Sequence, residues 1–205
     1  MVNSFKDWLS ESEEHHVTAV PLVGFSPHSH DGHAKDLGGT VHNTPGKHKV
    51  IGMSAKADHF SPKERASIFK KQLDHHGFKG IDVTSSKSAG DTLRHAKEKI
   101  GNKTGKHVLH LVVGADREKW GHSLAGAIKD GKIDGAHFHE VHVHTPADSG
   151  RSHGLSGTKM RLHAHDNDLN GYHKHLGPAF SKSQAQKIMN KTRKGIETKA
   201  IKLKR

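Results

Sequence analysis

The sequence predicts an α/β fold with about five mostly parallel strands, helices on both faces and a C-terminal helical segment. Short β-branched apolar runs alternate with stretches of 10–15 residues that carry helix caps, a pattern that implies βαβ units and a covered parallel sheet. Neither a fixed-period repeat nor a linker long enough to separate two cores interrupts that alternation. The 205 residues therefore fit one α/β domain over 17–180, an N-terminal extension over 1–16, and a basic C-terminal helix and tail over 181–205.

The elements follow in chain order. Val17 to Gly24 (VTAVPLVG) is a buried strand ending in a turn, and Gly32 to about Val41 a short helix. Lys49 to Ser54 is the second strand. The next helix opens on Ser61 as N-cap, Pro62 as first helical residue and Glu64 as capping-box acid, with Gly77 as terminator. Ile81 to Thr84 is a third strand and Ala89 to Ile100 a third helix. His107 to Gly114 (HVLHLVVG) is a β-branched run closed by glycine, followed by a helix over Asp116 to Lys129. His139 to His144 alternates cleanly as a fifth strand. From Ser156 onward the pattern gives two or three helices, with Pro178 and Ser181 marking the break before the last.

Composition narrows the function classes. The chain is 31% hydrophobic with a mean hydropathy of −0.77, and its 22 glycines keep a modest core within reach. The absence of cysteine excludes a disulfide scaffold, a thiolate zinc site and a cysteine nucleophile. No apolar window of about 18 residues is present to span a membrane. The acidic start MVNSFKDWLSESEEHH lacks the apolar core of a secretory signal, so a cytoplasmic location is the expectation. Lys and Arg number 33 against 21 acidic residues, a net charge of +12 with 23 histidines besides. That balance favours polyanionic partners such as nucleotides or nucleic acid.

In parallel α/β sheets the ligand crevice lies at the carboxyl ends of the strands. Those ends here carry Gly24-Phe25 and His30-Asp31-Gly32-His33, then Ser54 and Lys56, then Gly114-Ala115-Asp116-Arg117, then Ser156-Gly157-Thr158-Lys159-Met160-Arg161. These residue types suit a triphosphate. A glycine between two histidines at a strand-to-helix turn permits close backbone approach, and the helix start offers free N–H groups and the positive dipole end. Ser156 and Thr158 would cap a second helix, where hydroxyls, amides and the Arg161 guanidinium form an anion trap. The plainer readings are chance histidine pairs in a histidine-rich chain and an ordinary helix cap.

These residues carry a resemblance. The chain resembles the HxGH-motif nucleotidylyltransferase superfamily, whose Rossmann-like members include nicotinamide-mononucleotide, phosphopantetheine and cytidylyl transferases. Phe25, Pro27, His30, Gly32 and His33 resemble its FxPxHxGH; Ser54, Lys56, Phe60, Ser61, Glu64 and Arg65 its second-strand segment; Val113 to Asp116 with Trp120 its VGxDxxxxW/F; and Leu155 to Arg161 its ISSTxIR. Three departures stand out. The first loop carries one extra residue between Phe25 and His30, Gly157 replaces a serine, and residues 35–47 match nothing in the acceptor region. The resemblance implies attack of an acceptor phosphate on the α-phosphorus of ATP or CTP with release of pyrophosphate. His30, His33, Lys56 and Arg161 would carry catalysis; Gly24, Phe25, Gly32, Gly114, Asp116, Ser156 and Thr158 would bind the nucleotide; and Mg²⁺ would accompany the triphosphate. The acceptor would be a phosphorylated small molecule.

Other readings stand beside this one. His142 and His144 share a strand face with Glu140, a set that could bind zinc or nickel but reads more simply as a half-exposed face, so no metal ligand is assigned. His15-His16, His75-His76, His163/His165 and His173/His175 read as surface composition. Residues 182–205 hold nine Lys/Arg against Glu197 alone, a surface for nucleic acid or simply a solvated helix. An oligomer stays open. The histidine loop and SGTKMR also resemble phage-encoded members of the family, which makes a non-catalytic, virion-associated role the alternative.

Overall fold

The computed structural model describes residues 13–54, 59–146 and 155–203. Five strands, β1 (Glu14–Val23), β2 (His48–Ser54), β3 (Ile81–Ser86), β4 (Lys106–Val112) and β5 (Glu140–His144), form one all-parallel sheet in the order β3-β2-β1-β4-β5. Helices α1 (Asp31–Asn43), α2 (Pro62–His75), α3 (Ala89–Ile100) and α4 (Glu118–Lys129) connect them, and α5 (Gly157–His165), α6 (Leu169–Leu176) and α7 (Lys182–Leu203) follow. This is the expected Rossmann-like α/β arrangement. Among the described residues no helix is long and apolar enough to cross a membrane.

Alternation along the strands sorts the core into two layers. Val17, Ala19, Val50, Leu109 and Leu111 face α3 and α4, where Leu93, Ala96 and Ile128 are buried against them. Val20, Ile51, Met53 and Val112 face α1 and α2 through Ala34, Val41, Phe69 and Leu73. A third cluster ties α5, α6 and α7 to the outer side of α2: Phe60, Ile68, Met160, Tyr172, Leu176, Ala185 and Met189 are buried together.

The local signals hold well. Ser61 caps α2 with Glu64 completing the box, Ser88 caps α3 through Asp91, and Gly77 follows α2 at a φ of +82° that favours glycine. Two boundaries move. β1 begins at Glu14 rather than Val17, because Glu14, His15 and His16 pair with Lys106, His107 and Val108 of β4, so the sheet takes up the end of the expected extension. The helix expected from Asp116 starts at Glu118, preceded by a 3₁₀ turn over Ala115–Arg117 that lets the chain swing away from the strand end.

Candidate nucleotide crevice

Crossovers from β1 run to opposite sides, toward β2 on one flank and β4 on the other. That is the point in an open α/β sheet where adjacent connections diverge and leave a crevice. A cavity of about 270 Å³ lies there, walled by Gly24, Phe25, His33, Gly114, Asp116 and Trp120. Asp36 of α1 and Arg117 also line it.

The loop from β1 into α1 is built from histidines. The His30 ring caps α1 by accepting from the His33 N–H at 3.3 Å, and His33 Nδ1 accepts from the His30 N–H at the same distance, a capping box made of two imidazoles. Because both Nδ1 atoms accept backbone protons, each neutral ring carries its own proton on Nε2. His33 is clamped between Phe25 and His30, with ring centroids at 4.2 and 3.6 Å and planes within 23° and 16° of parallel. Burial pushes His33 down to about 3, with His30 and His28 adding to the effect, so this ring is a neutral donor at pH 7.

His28 sits fully buried one step earlier. Its Nδ1–H donates to the Ser29 carbonyl at 2.7 Å, so its Nε2 accepts from the Tyr172 hydroxyl at 2.6 Å, and Tyr172 meets Thr192 of α7 at 2.7 Å. Burial lowers His28 to about 4 and raises Tyr172. Ser29 donates to Gln72 at 2.5 Å, Gln72 donates to the Leu176 carbonyl at 2.7 Å, and His76 donates to buried Asp31 at 2.7 Å. Buried Arg65 donates to the carbonyls of Ser54 and Phe25, joining the ends of β2 and β1. The loop is thus held from α2, α6 and α7 at residue after residue.

The second expected phosphate segment lies against this loop. Ser156 caps α5 by accepting from the Lys159 N–H at 3.1 Å. Arg161 donates to the Ser26 carbonyl at 2.9 Å and to the Thr158 hydroxyl at 3.0 Å. Leu155 packs over Gly32, where a Cβ would meet its side chain at 3.4 Å. The starts of α1 and α5 therefore share one loop as their common neighbour. Gly157 allows that contact: a Cβ there would lie 2.4 Å from the Ser26 carbonyl oxygen, which accounts for glycine where the resemblance has serine. Gly157→Ser is expected to cost about 1–3 kcal/mol by forcing the two segments apart. Calorimetry would show a melting midpoint lower by several degrees; an unchanged midpoint would mean the loop yields.

Of the residues singled out in the sequence, Gly24, Phe25, His33, Gly114 and Asp116 line the cavity. Gly32, Ser156, Thr158 and Arg161 flank it on the α1 and α5 side. His30, 3% exposed, lies beneath His33 rather than on the wall. Lys56 lies outside the described residues. Asp36 and Asp116 are the carboxylates on the wall, and among the described residues no three His, Cys, Asp or Glu side chains converge to hold a metal. That fits a magnesium ion whose ligands come chiefly from phosphate oxygens and water.

Sequence reasoning passed over His28, Gln72 and Tyr172. The only signal for Tyr172 is that the chain has one tyrosine. The reading of paired histidines as surface composition is corrected for three of them. His16 bonds His110 across the sheet, His76 bonds Asp31, and His175 is 6% exposed and donates to the Gly171 carbonyl. Register and tertiary packing bury these rings, and neither shows in residue spacing.

Fold and crevice together define an open α/β protein with an anion-receptive pocket at the point where the strand order reverses. A scan against protein-family models finds no match to this chain, and a search of the curated proteins finds none either.

Proposed function

We propose that the chain is a nucleotidylyltransferase that binds ATP or CTP in the crevice between β1 and β4 and transfers the nucleotidyl group, adenylyl first among the candidates, to a phosphorylated small acceptor. The observation that carries this reading is the meeting of the α1 and α5 starts at one loop beside a neutral, clamped His33. Two positive dipole ends and an Nε2–H donor at one place suit a polyphosphate. In the reaction an acceptor phosphate oxygen bonds the α-phosphorus, the bond to the β-phosphate oxygen breaks, and pyrophosphate leaves. His33 donates to a phosphate oxygen as its charge rises, and the backbone amides of α1 and α5 hold the departing oxygens. Magnesium supplies charge neutralisation on the phosphates. Trp120, 40% exposed on the cavity wall, offers a face for the base or acceptor ring.

A second reading is a nucleotide-binding protein without turnover, such as a virion component. It is favoured by Arg161, whose guanidinium already bonds Ser26 and Thr158. Isothermal titration with ATP or CTP plus Mg²⁺, paired with a pyrophosphate assay over phosphorylated acceptors, separates the two. Micromolar binding with pyrophosphate release supports the enzyme; binding without release under every acceptor supports the second reading; no binding removes both.

A further inference from the structure

The sheet carries a second constellation, remote in chemistry from the phosphate crevice. His16, His110, His142 and His144 occupy the face of β1, β4 and β5 opposite the one α4 covers, because Val141, Val143, Leu109 and Leu111 take the alternate positions. His16 Nδ1 lies 2.9 Å from His110 Nε2, His110 Nδ1 lies 2.9 Å from His144 Nε2, and His16 Nε2 lies 3.1 Å from the Glu14 carboxylate. A carboxylate only accepts, so His16 donates to Glu14 from Nε2. His16 Nδ1 must then accept from His110 Nε2–H, and His110 Nδ1 is left presenting its lone pair toward His144. The direction of the whole chain is set from its Glu14 end.

This is how metal-binding imidazoles are held: the ligating nitrogen is bare while the other donates to a partner anchored on a carboxylate. We propose that His110 Nδ1 and His144 Nε2 bind one transition-metal ion of the zinc, nickel or copper class, with His142 as a third ligand and the His16–Glu14 pair orienting His110. On binding, the His144 proton moves from Nε2 to Nδ1, so both lone pairs face the ion and no proton is lost. Metal–nitrogen bonds of about 2.0–2.1 Å from atoms 2.9 Å apart subtend about 90°, the angle of tetragonal copper or nickel, and an opening of about 0.4 Å reaches the tetrahedral angle of zinc. His142 stacks on the His110 ring with centroids at 5.3 Å, and its side chain, 52% exposed, is tied only to Glu140 at 3.3 Å, so a rotamer change brings it in. The nearest cation, Lys49, points its ammonium at the carbonyls of Val41, His42 and Thr44 instead. The sequence showed the strand-β5 pair; His110 and His16, far away in the chain, supply what a structural zinc or nickel site needs beyond it.

Titration of the full chain with ZnCl₂ and NiCl₂ tests this. One ion per chain should bind with micromolar affinity, and His144→Ala should weaken it at least tenfold with circular dichroism unchanged, since His144 stands near the end of the edge strand. Glu14→Gln should weaken it less, and His122→Ala, on the exposed side of α4, not at all. Because His110→Ala can disturb the sheet, electron paramagnetic resonance with Cu²⁺ gives a second measure, with imidazole nitrogen couplings that diminish in His144→Ala. Wild-type-like binding by His144→Ala, or no ion bound by the wild type, overturns the proposal. Neither result bears on the nucleotide reading.

Discussion

Replacing His33 by alanine is expected to lower pyrophosphate release by about 10²–10³-fold, the loss that follows removal of one preorganised donor to a developing oxyanion. Of the two HxGH histidines, only His33 reaches the cavity wall. Its orientation is fixed three times over: by the Phe25 and His30 rings on either side and by the His30 N–H on its Nδ1. Burial keeps it neutral, so its Nε2–H needs no pH adjustment to act. The structural cost of His33→Ala is that of one side-chain acceptor at a helix start, about 1 kcal/mol, so the variant should fold. His30→Ala should behave differently. It removes the N-cap and one wall of the clamp, so stability and turnover should fall together, whereas His33→Ala should separate them. Steady-state assays beside urea unfolding on both variants read that difference, and full turnover in His33→Ala would remove this residue from the chemistry.

The sequence made the elements legible because their signals are local. Ser61, Pro62 and Glu64 write the start of α2 within four residues, and the run to Val112 marks β4 by its own side chains. The crevice residues were legible for a related reason: strand ends are where α/β sheets bind ligands, and Gly24, His33, Gly114 and Asp116 stand at two such ends. Partnerships were not legible. His28 and Tyr172 are separated by 144 positions, and His16 and His110 by 94, so nothing in their spacing announces a bond. The many histidines also hid one another. Rings that cap a helix, fill a buried slot or line a strand face look alike in a sequence where imidazoles recur every few residues, and burial alone tells them apart. Gly157 shows the opposite case, a visible departure from the resembling motif whose reason, the Ser26 carbonyl, lies elsewhere in the chain.

The buried loop also makes the fold acid-sensitive in a window set by His28. Its ordinary value of 6.5 applies to the unfolded chain, while burial holds the folded value at about 4. Above pH 6.5 both states are neutral and the full stability is present. As pH falls from 6.5 toward 4 the unfolded chain takes up a proton that the folded chain refuses, and stability falls by about 1.4 kcal/mol per pH unit for this one group, about 3 kcal/mol across the window. His33, lowered to about 3 by the same cause, acts in the same direction. Set against the 5–15 kcal/mol of an ordinary domain, this is a large fraction. Urea midpoints measured at half-unit steps from pH 7 to pH 4.5 should therefore decline steadily. His28→Gln keeps an acceptor for the Tyr172 hydroxyl yet cannot titrate, so it should be less stable than wild type at pH 7 and show a visibly shallower decline. Tyr172→Phe should act through the same contact from the other side: it strands the His28 Nε2 without a donor at a cost of about 1–3 kcal/mol. A decline in His28→Gln as steep as that of the wild type would place the acid sensitivity elsewhere in the chain and break the link between His28 burial and stability.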